Sequence, residues 1–376
     1  MKGKEQLLHT QERDGKEMIE VDGSFGEGGG QIIRTAVALS AITGEPVEIR
    51  NIRANRPNPG LQAQHLNAVK AVAAMTDAET EGLKLRSTRL KFVPQSRKAL
   101  RTEIDIGTAG SITLLLQCII PVALFADGET KLRIIGGTDV KWSPPIDFYR
   151  FVFAKALAEM GCEVQISLLK RGYYPKGGGI VDVSVKPVRK LNGFVRLEES
   201  GEGETAEEVL VRGISHCRGL PSHVASRQAS SAEKKLRERG YNAAIEVDAG
   251  EHAAGEEAEG AGKKRGGGAR ETVGSGITLW HNYKSGSALG EPRKPAESVG
   301  EEAASLILSE LASASTVDVH LADQLIPYIA LAEGYSAFKV REITGHLRTN
   351  IYIVRKFLDV EIAIRREENI FVIEKD

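Results

Sequence analysis

Cysteine is scarce: Cys118, Cys162 and Cys217 are the three in 376 residues, an odd number with no Cys-x-x-Cys spacing. That excludes a disulfide framework and a zinc knuckle, and it points to a reducing, cytosolic setting. Long apolar runs are missing too. The longest, Ile112 to Ala126, is interrupted by Gln117 and Pro121 and falls short of the roughly 18 residues of a membrane span. The N-terminus lacks the apolar core of a signal peptide. Neither sign of charge dominates, because 50 basic residues face 51 acidic ones for a formal net charge of −1. A protein that coats a polyanion needs many uncompensated cations, so only a local basic pocket for one phosphate end fits this balance. His-Glu-x-x-His and Gly-x-Ser-x-Gly are absent, which leaves zinc peptidase and serine hydrolase chemistry without support.

What is present is an ordinary soluble composition, 41% hydrophobic and 27% charged, in a chain long enough for two domains. Forty glycines exceed the roughly 7% average, so glycine-rich turns should carry meaning. Residues 1–17 are polar and aperiodic and read as a flexible extension. From Met18 the hydrophobic pattern runs strand, helix (from Ile32 to Gly44), strand (46–52), helix (Leu61 to Met75), then short strands near Leu83–Leu85 and Leu90–Val93. The same β-α-β-α-β-β order recurs from Glu103 to Val185. A third copy is expected near the C-terminus, with helices at Leu321–Ala332 and Asn350–Leu358 and strands near Phe338–Ile343, Val360–Ile364 and Ile370–Ile373. The fold class is therefore mixed α/β, with helices over small sheets. Residues 18–190 and 314–376 are assigned to one domain of three units, and 191–313 to an inserted α/β domain. Within the insertion, Gly250 to Glu271 consists almost wholly of Gly, Ala, Glu, Lys and Arg. Such a stretch can bury nothing and is expected to be a disordered loop.

Four segments carry chemical potential. Asp22-Gly-Ser-Phe-Gly-Glu-Gly-Gly-Gly-Gln31, followed by Arg34, joins a strand to a helix. Gln31 stands where a dinucleotide fingerprint needs glycine, and no P-loop Gly-Lys-Ser/Thr occurs. Amides at a helix start still attract anions. Glu27 would repel a phosphate there unless a divalent metal sat between them; a tight turn with a solvated carboxylate is the plainer alternative. The second segment, Arg50 to Gly60 leading to Gln64-His65, gathers Arg50, Arg53, Arg56 and His65 near a helix start, and arginine forks suit phosphate oxygens. The third, Arg171-Gly-Tyr-Tyr-Pro-Lys-Gly-Gly-Gly179, reads either as a hairpin whose glycines supply positive φ or as the lining of a nucleotide groove. The fourth comprises His320-Leu-Ala-Asp-Gln324 and Gly345-His-Leu-Arg-Thr-Asn350, with His346 just ahead of a helix expected from Asn350.

Gly26 to Arg34, Arg53-Ala-Asn-Arg-Pro57, Gly60 to His65, the Arg171 to Val181 segment and His346 to Asn350 together resemble the RNA 3′-terminal phosphate cyclase family, over Met18 to Asp376. The resemblance implies three units like the C-terminal domain of a bacterial initiation factor, plus a smaller inserted domain. It implies ATP and an RNA 3′-phosphate end as substrates, with Mg2+ or Mn2+ as divalent metal, no membrane partner, and an oligomeric state left open, a homo-oligomer included. Carried over residue by residue, it places the nucleophile on His346, the metal-binding carboxylate on Glu27, and ATP-phosphate contacts on Arg34 and Arg56. Gln64, His65, Gln117, Asp323 and Gln324 match further active-site positions. Pro144 and His320 match positions that sandwich adenine, although some relatives carry Tyr in place of His320. Arg53 is an expected RNA-phosphate contact. A non-catalytic relative acting in ribosome assembly is the main alternative, and a carboxyvinyl transferase of the 5-enolpyruvylshikimate-3-phosphate synthase type is the second.

Overall fold

A computed structural model describes residues 17–198, 206, 208–250 and 272–376. The expected extension (apart from Glu17) and the 251–271 stretch lie outside the described residues.

The first unit runs β1 (Ile19–Asp22), α1 (Gln31–Thr43), β2 (Val47–Arg50), α2 (Ala63–Thr76), β3 (Glu79–Glu81) and β4 (Leu90–Val93). Its sheet has the order β1-β2-β4-β3, with β1 parallel to β2 and the other pairs antiparallel. The second unit repeats that order as β5 (Arg101–Asp105), α3 (Ile112–Leu124), β6 (Thr130–Gly136), α4 (Ile146–Phe148), α5 (Ala154–Glu159), β7 (Glu163–Lys170) and β8 (Gly179–Lys186). A π-helical turn, Tyr149–Phe153, joins α4 to α5, so the second helix of this unit is present but underwound in its middle.

Two short strands follow, β9 (Leu191–Asn192) and β10 (Val195–Arg196). Then come β11 (Leu210–Arg218), α6 (His223–Arg237), β12 (Asn242–Asp248), β13 (Gly274–His281), β14 (Lys284–Leu289) and α7 (Ala296–Leu311). The chain closes with α8 (Val319–Leu331), β15 (Ala332–Glu333), β16 (Ser336–Val340), α9 (Gly345–Phe357), β17 (Ile362–Glu367) and β18 (Ile370–Lys375). The third sheet is ordered β10-β16-β18-β17, again with one parallel pair. Its first strand is supplied from before the long intervening segment. Leu191–Arg196, which the sequence reading put inside that segment, therefore pairs with β15 and β16 instead. Two-residue strands are too short to show an alternation.

Two further expectations need correcting. The strand expected near Leu83–Leu85 is Glu79–Glu81, and Leu83–Leu85 lies in the turn that follows. The last large helix begins at Gly345 rather than Asn350, because the Thr344 hydroxyl accepts the Leu347 N–H at 2.9 Å and caps it there. His346 thus sits in the first turn of α9.

The helices of the three units pack together rather than on separate cores. α1 is buried from Gln31 to Ala41 and touches α2, α3 and α9. One continuous apolar cluster runs from Val21 to Ile373. A second, smaller cluster lies between the β12-β11-β13-β14 sheet and the paired helices α6 and α7. On α6 the buried Ala225, Gln228, Ala229, Ala232 and Leu236 recur at helical spacing.

The seam between the two clusters is charged. Arg171 is buried, and its guanidinium reaches Asp139 (3.2 Å), Asp147 (2.7 Å) and, on β12, Asp248 (3.0 Å). Beside it the Tyr173 hydroxyl meets His216 Nδ1 of β11 at 2.7 Å, and the Tyr173 N–H donates to Thr272 at 2.9 Å. Gly177 and Gly178 take positive φ values of 68° and 71°. Of the two readings of this glycine-rich segment, the tight turn holds for its glycines, while Tyr173 is buried and lines no groove. Arg171→Ala would leave buried Asp139 without its arginine and buried Asp147 with Arg150 alone. It should lower the free energy of unfolding by about 3–5 kcal/mol, read as a lower urea midpoint.

Candidate active site

The candidate residues come from the first turns of α1, α2, α8 and α9, from the middle of α3, and from the loops that carry Glu27, Arg53, Arg56 and Pro144, and most of them gather in one cleft. At its mouth stand His346, Glu27 and Arg56. Glu27 Oε2 lies 3.2 Å from Arg56 Nη2 and 3.7 Å from His346 Nε2.

His346 is held by a residue to which the sequence reading gave no catalytic part. Gln31, buried at the start of α1, donates its amide Nε2 to the His346 carbonyl at 2.8 Å, and its Oε1 meets His346 Nδ1. Turning the amide over would set oxygen against carbonyl oxygen, so this orientation is fixed. An amide oxygen only accepts; Nδ1 must carry the proton, and the neutral ring keeps its lone pair on Nε2, the atom facing Glu27. Burial, Arg34, Arg56 and His320 hold the His346 pKa below its ordinary value, with Glu27 opposing them. The ring is therefore neutral at physiological pH.

Deeper in the cleft, Arg34 is almost fully buried and donates Nε to Gln117 Oε1 at 2.7 Å. Burial lowers its pKa to about 10, which still leaves it charged at neutral pH. Gln324 accepts from the Tyr149 hydroxyl at 2.6 Å. Asp323 is tied to the α9 cap by Thr344 Oγ1, and its backbone carbonyl accepts from Asn350 at 2.6 Å. Burial chiefly, helped by Asp318 and Glu27, lifts the Asp323 carboxyl to about 8, so it stays largely protonated and uncharged at neutral pH.

Gln64 Oε1 accepts the Ser111 N–H at 3.2 Å, and the Pro144 carbonyl accepts from Thr113 Oγ1 at 2.7 Å, which fixes both at the start of α3. His65 Nδ1 accepts the Gln62 N–H at 3.1 Å. Burial first, then Arg34 and Arg53, keep its pKa far below the usual range. A Cβ on Gly30 would lie 2.0 Å from His65 Nε2, so this glycine is what lets the ring lie against the loop. Two candidates stand apart. Arg53 turns Nη1 onto the carbonyls of Asn58 (2.5 Å) and Gly60 (3.0 Å) in its own loop. His320 is exposed in the first turn of α8.

No helix among the described residues is long and apolar enough to cross a membrane. A family model described as RNA 3′-terminal phosphate cyclase matches residues 25–364. The RNA 3′-terminal phosphate cyclase of Archaeoglobus fulgidus is 49% identical over 343 residues, 91% of this chain and 96% of the relative. That of Methanosarcina mazei is 47% identical over 366 residues, 94% and 99% of the two chains. A solved EPSP synthase from Acinetobacter baumannii aligns at 15% identity with a TM-score of 0.23 over 48% of this chain, too weak a likeness to carry any inference. On the span of the family match and the identity to these relatives, the chain belongs to the RNA 3′-terminal phosphate cyclase family.

Proposed function

We propose that this cleft converts an RNA 3′-phosphate into a 2′,3′-cyclic phosphodiester at the expense of ATP. The observation that carries the reading is His346 held by Gln31 with its Nε2 lone pair turned toward the cleft beside Glu27 and Arg56. In the first step His346 Nε2 attacks the α-phosphorus of ATP, forming an N–P bond and expelling pyrophosphate. An RNA 3′-phosphate oxygen then takes the adenylate from His346, giving RNA(3′)pp(5′)A. Finally the neighbouring 2′-hydroxyl attacks the RNA phosphorus, loses its proton and releases AMP. Such transfers depend on in-line placement and charge neutralisation more than on bond-making groups.

Arg34 and Arg56 neutralise the triphosphate. Gln64, His65, Gln117, Asp323 and Gln324 line its berth, where an uncharged Asp323 can donate to a phosphate oxygen that a carboxylate would repel. Pro144 and His320 flank the adenine, and Arg53 meets the RNA phosphate once its loop carbonyls release it. The described residues contain no group of three or more His, Cys, Asp or Glu side chains able to hold a metal ion. One half-exposed carboxylate, Glu27, still fits a Mg2+ or Mn2+ ion that takes its other ligands from phosphates and water. Bound there, the ion would supply positive charge to the departing pyrophosphate.

We further propose that residues 18–196 and 314–376 form the catalytic domain. Its three units then share the module of the bacterial initiation factor's C-terminal domain, and the segment after Arg196 is the insertion.

Incubation with α-labelled ATP and a divalent metal tests the reading. Label should become protein-bound through a linkage stable to alkali and labile to acid, as a phosphoramidate is; a carboxyl-AMP anhydride would behave differently. Glu27→Ala should slow this labelling by about a hundredfold while cyclisation of preformed RNA(3′)pp(5′)A stays within a few-fold of the parent. Equal losses on both would remove Glu27 from the pyrophosphate-leaving step.

A further inference from the structure

The chain has two tryptophans, and the fold treats them oppositely. Trp280 stacks on Phe151 with ring centroids 4.5 Å apart. Trp142 is 95% exposed and holds a left-handed backbone, φ 61°. For a bulky residue that conformation is unfavourable, and full exposure forgoes the burial such a side chain normally gains. Nothing among the described residues compensates either cost.

Its position suggests what does. Trp142 precedes Pro144 by two residues, and Pro144 is bonded to the start of α3. The adjoining loop carries Tyr174, 76% exposed. The two loops are joined by a bridge between Asp139 and Tyr173, and Gly177 packs onto Thr108 and Ala109 in the turn before α3. Two exposed aromatics thus border the same helix start as the candidate adenine site, flanked by the exposed Lys141 and Lys176. A chain of net charge −1 gains little affinity for RNA from a broad phosphate footprint. Base stacking on aromatic faces provides about 1–3 kcal/mol per base without regard to sequence, and unpaired RNA ends are commonly held this way.

We propose that Trp142, together with Tyr174 of the adjoining loop, is a stacking platform for the last unpaired bases of the RNA 3′ end. This rests on the site reading above and extends it from the reacting phosphate to the nucleotides behind it. Neither residue touches the reacting atoms; both position the substrate.

The experiment measures labelling with ATP alone and cyclisation of a single-stranded 3′-phosphorylated RNA, using the full chain. Trp142→Ala should raise the KM for RNA about tenfold, leave kcat and the KM for ATP within about twofold, and form enzyme–AMP at the parent rate. Trp142→Phe should restore most of the loss. RNA with abasic residues just before its terminal nucleotide should show the raised KM on the parent and no further rise on Trp142→Ala. An unchanged KM for RNA, or a raised KM for ATP instead, would overturn the platform. Failure of the parent to form enzyme–AMP would overturn the site reading instead. Quenching of Trp142 fluorescence by 3′-phosphorylated RNA, absent in Trp142→Phe, would still judge the platform.

Discussion

His346→Ala and His346→Asn are expected to form no detectable enzyme–AMP, a loss of at least about 10³-fold. Neither side chain can make the phosphoramidate, whatever else in the cleft survives. His346 is solvent-accessible in the first turn of α9, so its replacement should leave the fold intact. Both variants should still cyclise chemically prepared RNA(3′)pp(5′)A, because the 2′-hydroxyl attack needs no new adenylate. The parent's labelling rate should fall with acidity, since protonation removes the Nε2 lone pair. With the pKa held below the ordinary 6.5 by burial and the nearby cations, that fall belongs on the acid side of neutrality and the rate should be flat above it. His320→Ala should still become labelled, at a higher ATP requirement, because the ring's proposed part is to stack. Adenylate mapped to His320, His65 or a lysine would assign the nucleophile elsewhere.

Gln31→Leu should slow adenylation by roughly 10²–10³-fold in a protein that remains folded. Leucine keeps the bulk but removes the acceptor that holds the proton on Nδ1, so the ring loses both its tautomer and its orientation; wrong-tautomer substitutions in histidine-dependent sites are costly on this scale. Gln31→Glu separates that role from simple packing. It loses the bond to the His346 carbonyl yet keeps an acceptor for Nδ1, and its charge favours the imidazolium. The pH at which labelling is half-maximal should therefore move upward, with much of the rate recovered in alkali. A leucine variant that labels at the parent rate would refute the positioning role, and a glutamate variant with an unmoved pH profile would reduce it to packing.

Gln31 also shows what a linear reading cannot reach. In the sequence it appears as the residue that spoils a glycine fingerprint; its partner is 315 positions away, and only the packing of α1 beside α9 brings them together. His346, Glu27 and Arg56 were legible because their motifs could be matched, but Arg53 turns out to be bonded to its own loop. Most helices could be read from their spacing, α1 and α3 especially. The strands that escaped have physical reasons. β11 is buried on both faces over much of its length and contains Gly213, which hides a period of two. β14, Lys-Ser-Gly-Ser-Ala-Leu, has no β-branched or aromatic residue. β3 is Glu-Thr-Glu, three residues held by pairing with β4 rather than by any apolar face.

Genetically the segment after Arg196 looks like a cassette, something a lineage could gain or shed whole. The seam argues otherwise. Arg171 is held in part by Asp248, and among the described residues the Tyr173 N–H and hydroxyl meet Thr272 and His216, all from that segment. Shedding it would strand those donors beside the loop that carries Trp142 and Pro144. A descendant without the segment would keep Asp139 and Asp147 for Arg171 but would have to rewrite Tyr173, so the seam ties the two parts of the chain together in evolution.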